Sequence, residues 1–501
     1  MKKIIIILVL ITIYGNSFAQ FKLSGKIKNY SAKQELKINI PVVFGFDSEN
    51  SISIPVDKSG RFNITLPIKA QKFANLIFLK TSYPLLLNQS KNLVLTLNET
   101  DSTLKLLDGS ALLENQVIQK VKVQEYPFFL EKQNVARFSK LSFAALKDEV
   151  ILPYYKQRDE KIAIVNQSAL SLSNKELIST EIKSICANYL DDFARTEVKD
   201  REIITALILE IFDHTEIKPK VFPAGPQYFG FINKYLSYLE TKAFTKIKQE
   251  NIPANQNIPY FGISLDSASV VIKKNGKSYW KWIAAVKNLP PNIAEIYAYQ
   301  LILNQSNYKD LKQTLALAKS FEMAFPRSNY IKNIHANIFT LEKALAINET
   351  NEQIKIIPDY QKIQSIYEVI KPFKDKVVYL DVWGTWCGPC KDELKYLPAL
   401  KNKFKSQDVV FIYLDMDEDG KDENWREFIK TNGLTGIHLR KNKENIAPFW
   451  KELLANHADK HEYYPQYFIF DKSGKLVVSK ALAPSNKDEL YKQITATLSQ
   501  K

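Results

Sequence analysis

The sequence predicts a multi-domain chain: a small antiparallel β-sandwich or barrel, then an all-α region, then a C-terminal α/β domain. Three patterns carry this reading. Apolar residues alternate with period two up to about residue 107 and recur at helical spacing from about 111 to 348. From about residue 353 onward, buried-strand runs alternate with helical segments. A chain of 501 residues is too long for one core. Its 45% hydrophobic and 25% charged residues are ordinary for globular protein and exclude wholesale disorder. The expected divisions are residues 1–19, 20–110, 111–350 and 351–501.

Residues 1–19 have the pattern of a secretory signal peptide. Lys2 and Lys3 open it, residues 4–13 are apolar apart from Thr12, and Ser17-Phe18-Ala19 supplies small residues for cleavage after Ala19. The apolar run is far short of the ~20 residues that span a bilayer. No cysteine follows it, which speaks against a lipid anchor. The expectation is an exported protein of the periplasm or cell envelope, with no stable membrane insertion after signal cleavage.

In residues 20–110, Leu36, Ile38 and Ile40 alternate with polar residues, as do Ile52, Ile54 and Val56, then Phe62, Ile64 and Leu66, and later Leu93, Leu95 and Leu97. Asp57-Lys58-Ser59-Gly60 lies between two of these runs and reads as a hairpin turn. Within 111–350, Leu311, Leu315, Ala318, Phe321 and Phe325 form a helical stripe that Pro326 stops. Ile331, Ile334, Ile338, Leu341 and Leu345 form the next stripe. Prolines at 219–226 and 253–259 divide the region into sub-bundles. In 351–501 the predicted order is strand 377–382, helix 387–404, strand 409–414 and helix 424–430. A hairpin of 467–470 with 476–479 follows, then a helix over 487–498.

The formal charge is +15, but its lysines are dispersed and mixed with acids. No nucleic-acid-binding motif accompanies them, so nucleic acid is not an expected partner. The three cysteines are Cys186, Cys387 and Cys390. A disulfide-stapled exported domain would carry more, at wider spacings, so cysteine here serves chemistry.

Trp386-Cys387-Gly388-Pro389-Cys390 follows a buried strand and opens a helix. A cysteine there faces unpaired backbone N–H groups and the positive end of the helix dipole. Both favour thiolate, the attacking species, and in such motifs the thiol pKa falls to about 7 from about 8.5. The two-residue spacer lets Cys390 reach Cys387 one turn later, and Pro389 is tolerated where no N–H partner is needed. Half of a zinc site is the competing interpretation. It fails because neither a second Cys-x-x-Cys nor a histidine pair stands at ligand spacing.

The run Trp383-Gly384-Thr385-Trp386-Cys387-Gly388-Pro389-Cys390, preceded by Val378-Tyr379-Leu380-Asp381-Val382, resembles a thioredoxin-superfamily active site. Trp383 to Cys387 in particular resembles the exported TlpA-type thiol reductases that serve cytochrome c maturation. The likeness covers about residues 353–501. It implies a thioredoxin fold, oxidised protein substrates and a membrane thiol-transporting electron donor. The redox-active disulfide itself would be the working group, with no other cofactor and no metal.

On that resemblance Cys387 is the nucleophile and Cys390 the resolving thiol. Asp381 stands where the family keeps a buried carboxylate able to accept the resolving thiol's proton through water. Trp386, Gly388, Pro389, Tyr464 and Pro465 are the expected substrate-binding residues. Tyr464-Pro465 matches the family's cis-proline loop, whose exposed backbone pairs with extended peptide. Glu393 matches an acidic helix residue of the group. Two positions depart from the pattern: Lys395 replaces a kinking proline, which predicts a straighter helix, and Tyr413 replaces the lysine beside the carboxylate.

Other features are set aside. Asp415-Met416-Asp417-Glu418-Asp419-Gly420 resembles the start of a calcium loop, but the twelfth position is Arg426. His457 and His461 could share a helix face yet lack a third metal ligand. Cys186, beside Ile178, Ile182, Ile185 and Tyr189, reads as an inert core thiol. The function expected is therefore an exported protein disulfide reductase, because thioredoxin-type motifs sit near roughly −270 mV and strong oxidants near −120 mV. An oxidase or isomerase, or an envelope protein whose main task is partner binding, are the alternatives.

Overall fold

The computed structural model describes residues 20–46, 48–68, 70–213, 215–219 and 221–500. The signal-peptide expectation for 1–19 lies outside them. Residues 20–270 with 280–300 form one compact unit, and 271–279 with 301–500 form another.

The first unit begins with eight strands: β1 (Phe21–Lys28), β2 (Leu36–Asn39), β3 (Ser51–Ile54), β4 (Arg61–Leu66), β5 (Lys72–Phe78), β6 (Thr81–Leu87), β7 (Asn92–Asn98) and β8 (Leu104–Asp108). They form two four-stranded sheets, ordered β4-β1-β7-β8 and β3-β2-β5-β6. Both sheets feed one apolar cluster, including Phe21, Leu23, Leu36, Ile38, Leu76 and Leu95. Two features depart from the sequence expectation. β1 and β7 pair in parallel, so the arrangement is not wholly antiparallel. The turn at Asp57–Gly60 forms, with Asp57 Oδ1 accepting from Ser59 and Arg61 N–H. Its flanking strands then part into different sheets, bridged at Val56 and Phe62 and by the Asp57 N–H donating to the Arg61 carbonyl at 2.9 Å. Pro55 has no N–H to continue the ladder beyond Ile54, which frees the chain to turn away.

Helices follow, the longest being Leu172–Thr196 and Pro226–Glu250. Cys186 sits in the first of these, 3% exposed, and burial pushes its thiol up to about 12. That suits a core thiol rather than a nucleophile.

The second unit is built on a six-stranded sheet, ordered β14-β13-β10-β11-β12-β9. Its strands are β9 (Ile354–Ile356), β10 (Val377–Trp383), β11 (Val409–Met416), β12 (Gly436–Lys441), β13 (Gln466–Phe470) and β14 (Leu476–Ala481). All seven residues of β10 are buried, as its apolar run, interrupted only at Asp381, requires of a central strand covered on both faces. It pairs parallel with β11 and antiparallel with β13. Helices Leu311–Ala324 and Ile331–Asn348 lie in this unit beside helix Asp422–Thr431. Their buried apolar residues are Leu311, Leu317, Ala318 and Phe321, then Ile334 and Leu341. Leu315, expected in the stripe, is 40% exposed.

The helix predicted over 387–404 is two helices, Gly388–Leu394 and Leu397–Lys403. The straight run expected from Lys395 therefore does not occur. Pro398, in the first turn of the second helix, cannot donate to the carbonyl of Leu394, and its ring would collide there. The break simply has a different proline as its cause.

Candidate active site

β10 delivers the chain into a turn at Gly384-Thr385-Trp386. A Cβ on Gly384 would lie 2.5 Å from the Trp386 Nε1 and 3.1 Å from the Met416 carbonyl, so this position needs glycine for close approach. The Trp386 Nε1 donates to the Met416 carbonyl at 2.7 Å. Thr385 donates its N–H at 3.1 Å and its hydroxyl at 2.6 Å to Asp417 Oδ2. The acidic loop after β11 thus fastens the turn that presents the cysteines. Arg440 of β12 braces the loop in turn, donating to the Asp417 carbonyl at 2.7 Å and to Asp419 at 3.1 Å.

Cys387 is the N-cap of helix Gly388–Leu394, and its Sγ accepts the N–H of Cys390 at 3.1 Å. The two cysteines are joined as a disulfide with Cα atoms 5.2 Å apart. Pro389 occupies the first turn, where its missing N–H costs nothing. Cys387 is 3% and Cys390 2% exposed, whereas Trp386 is 47% exposed. At Gly388, next to Cys387, a Cβ would meet nothing within 4 Å among the described residues.

Asp381 is buried in β10, with Oδ1 lacking a hydrogen-bond partner among the described residues. Burial pushes its carboxyl up to about 8; the charge of Glu393 adds to this and that of Lys401 opposes it. In the strand register Asp381 faces Tyr413 of β11, the position from which the sequence comparison found lysine missing. Lys401, from helix Leu397–Lys403, supplies a cation instead. Its Nζ lies 5.0 Å from the Tyr413 ring centre, and burial pushes it down to about 7 while Asp381 opposes the fall.

Glu393 accepts both the N–H and the hydroxyl of Ser485, each at 2.8 Å. Tyr464-Pro465 is a cis peptide at the entry to β13. The Tyr464 ring meets Trp386 edge-on, with centroids 5.3 Å apart, and its hydroxyl accepts the Trp450 Nε1 at 3.1 Å. Tyr464 and Trp386, far apart in sequence, therefore stand together at the cysteine motif.

The sequence reading missed several groups here. Lys391 is 6% exposed and paired with Asp310 at 3.0 Å. It also faces the rings of Phe428 at 5.1 Å and Tyr308 at 5.5 Å. Asp417 was recognised only as part of a loop, and Lys401 carried no signal beyond its charge. His457 and His461 do not share a helix; each makes a hydrogen bond with Asp459 in a loop. Among the described residues no group of three or more His, Cys, Asp or Glu is placed to hold a metal ion.

A family described as thioredoxin-like matches residues 375–476, and one described as an uncharacterized protein conserved in archaea matches 230–348. The thiol-disulfide oxidoreductase ResA of Bacillus thuringiensis (strain Al Hakam) is 33% identical over 24% of this chain and 63% of its own length. The corresponding protein of B. thuringiensis subsp. konkukian is 33% identical over 25% of this chain and 68% of its own length. The chain thus spans a little under two thirds of the first of these relatives. A crystal structure of a putative thiol-disulfide oxidoreductase from Bacteroides vulgatus is 29% identical, covering 26% of this chain and 83% of that one, with a TM-score of 0.21.

Proposed function

The chain belongs to the thioredoxin-like, ResA-type thiol–disulfide oxidoreductases, and from that premise we propose that it reduces disulfides in exported envelope proteins through Cys387 and Cys390. The observation that carries this reading is the Cys390 N–H directed at Cys387 Sγ from the first turn of a helix. A donor so placed favours thiolate at Cys387 over thiol.

In the reduced protein, the Cys387 thiolate attacks one sulfur of a substrate disulfide. A mixed disulfide forms and the other substrate sulfur leaves as thiolate. Asp381, ionised, takes the proton of the Cys390 thiol through water. Cys390 then attacks Cys387 Sγ, closing the Cys387–Cys390 disulfide and releasing the second substrate thiolate. Two electrons pass from the dithiol to the substrate. A carboxyl pushed up to about 8 is matched to a thiol proton near neutral pH. Trp386, Gly388 and Pro389 border the approach, and Tyr464-Pro465 offers backbone to an extended peptide. The dithiol is the only redox group this scheme uses. Its renewal calls for an external dithiol donor, which in this reading is a membrane thiol transporter. Cytochrome c maturation is the task inferred from the family likeness.

Trapping tests the proposal. With Cys390→Ser, mixed disulfides on Cys387 should accumulate in envelope extracts and release protein substrates on reduction. Recovery of no disulfide-linked protein across growth conditions would count against the reading. A measured potential above about −150 mV would instead favour an oxidase or isomerase.

A further inference from the structure

Beside the cysteine motif, within the C-terminal unit, lies a cleft of about 360 Å³, a size found in ligand-binding clefts. Thr385, Trp386 and Gly388 form one wall. The others come from the segment 272–278, the start of helix Leu311–Ala324 and the loop and helix around Lys421. Six lysines line it: Lys273, Lys274, Lys277, Lys312, Lys391 and Lys421.

The carboxylates present do not neutralise this charge. Asp310 is committed to Lys391 at 3.0 Å, and Asp417 to Thr385. Glu427 is the third acid in the lining. Among the described residues, none of Lys273, Lys274, Lys277, Lys312 and Lys421 makes an ion pair. Lys421 donates instead to the Lys273 carbonyl at 2.6 Å, and Lys312 to Asn424 Oδ1 at 2.5 Å. The lysines also crowd one another. Burial pushes the Lys421 ammonium down, and the charges of Lys312 and Lys273 add to that, with Asp417 and Asp310 opposing. Like charges held together beside a reactive centre set up a field that draws in the opposite sign.

We propose that this cleft receives an acidic stretch of the substrate polypeptide next to its disulfide, so that the protein prefers disulfides flanked by aspartate and glutamate. The inference rests on the redox reading above. Geometry supports a peptide in particular: Trp386 and Gly388, the residues on either side of Cys387, line the cleft, so a chain whose S–S bond meets Cys387 has the lysine-lined space beside it for its adjoining residues. The carboxylates of that stretch would supply the counter-charge that the lining lacks.

The test uses the full chain and two cystine-bridged peptides, identical except that the residues flanking the bridge are glutamate in one and glutamine in the other. Reduction of the glutamate peptide should show a kcat/KM about tenfold higher, and the advantage should shrink as salt rises. The double variant Lys312→Glu, Lys421→Glu should abolish it while reducing a small uncharged disulfide at the parental rate. The milder Lys312→Gln, Lys421→Gln pair should lessen it. Equal rates on both peptides, or a preference that survives charge reversal, overturns the proposal. A protein that reduces no disulfide at all would defeat the redox reading instead. Binding of the same peptides with serine for cysteine, followed by fluorescence polarisation on the oxidised protein, then judges the cleft alone: tighter binding of the glutamate form upholds it, and equal binding rejects it.

Discussion

Asp381 and Lys401 sustain each other's charge: burial drives both toward their neutral forms, and each opposes the shift of the other. The strand position opposite Asp381 carries Tyr413, so the cation comes from a helix that the Pro398 break redirects. In the proposed reaction this pair sets the proton chemistry, and it should shape the pH dependence of stability.

Asp381→Asn should stabilise the protein at alkaline pH. The folded carboxyl, at about 8, lies above its ordinary value of 3.8, so the folded state holds its proton more tightly than the unfolded state. Stability is therefore lost as pH rises from about 4 to about 8. The variant escapes that loss, gaining roughly 2–5 kcal/mol at pH 8 and nothing near pH 3. Urea denaturation at the two pH values measures this. Disulfide reduction should meanwhile fall about a hundredfold if Asp381 acts as base.

Lys401→Met removes the cation that favours the ionised carboxyl. The limb of the kcat/KM profile that depends on ionised Asp381 should move to higher pH, by about one unit. Lys401→Arg should leave it near its parental place. An unmoved limb in the methionine variant would mean that Lys401 only fills space.

Two glycines of the motif should answer oppositely to alanine. At Gly384 the new methyl meets the Trp386 indole and the Met416 carbonyl, so we expect a loss of about 1–3 kcal/mol and a changed Trp386 environment by fluorescence. At Gly388 the methyl meets nothing, and alanine suits a helix better by roughly 0.5–1 kcal/mol. Thermal unfolding of the two variants compares them directly.

The pair of Lys391 and Asp310 lies almost out of solvent, with side chains 6% and 12% exposed. Asp310→Ala leaves an ammonium buried without its partner and should cost about 3–5 kcal/mol. Adding Lys391→Met to that variant should restore much of the loss, because the stranded charge is gone. If the double variant is no more stable than the single one, the ion pair is not what Asp310 contributes.

The apolar elements of the C-terminal unit were legible because their pattern is one-dimensional: seven buried residues in a row at β10 leave little choice but a central strand. β12 was invisible for the opposite reason. Its Gly436-Ile437-His438-Leu439-Arg440-Lys441 reads as polar surface, yet His438, Arg440 and Lys441 are all buried. Each finds a partner: His438 Nε2 the Leu434 carbonyl, four residues away, at 2.6 Å, whereas Arg440 and Lys441 reach across the sequence to the loop after β11 and to the carbonyl of Gln361 at 3.0 Å. The cysteines could be singled out from spacing alone. The Thr385–Asp417 clasp and the Lys401 cation depend on how strands and helices are set side by side, which no local pattern encodes.

All of this chemistry requires Cys387 to be poised as a thiolate. Its alkylation by iodoacetamide in the freshly reduced protein, followed by mass spectrometry across pH 5 to 9, tests this most directly. The rate should rise with a midpoint near about 7, below the ordinary thiol value of about 8.5. A midpoint at or above the ordinary value, or a sulfur that resists alkylation throughout, would contradict it.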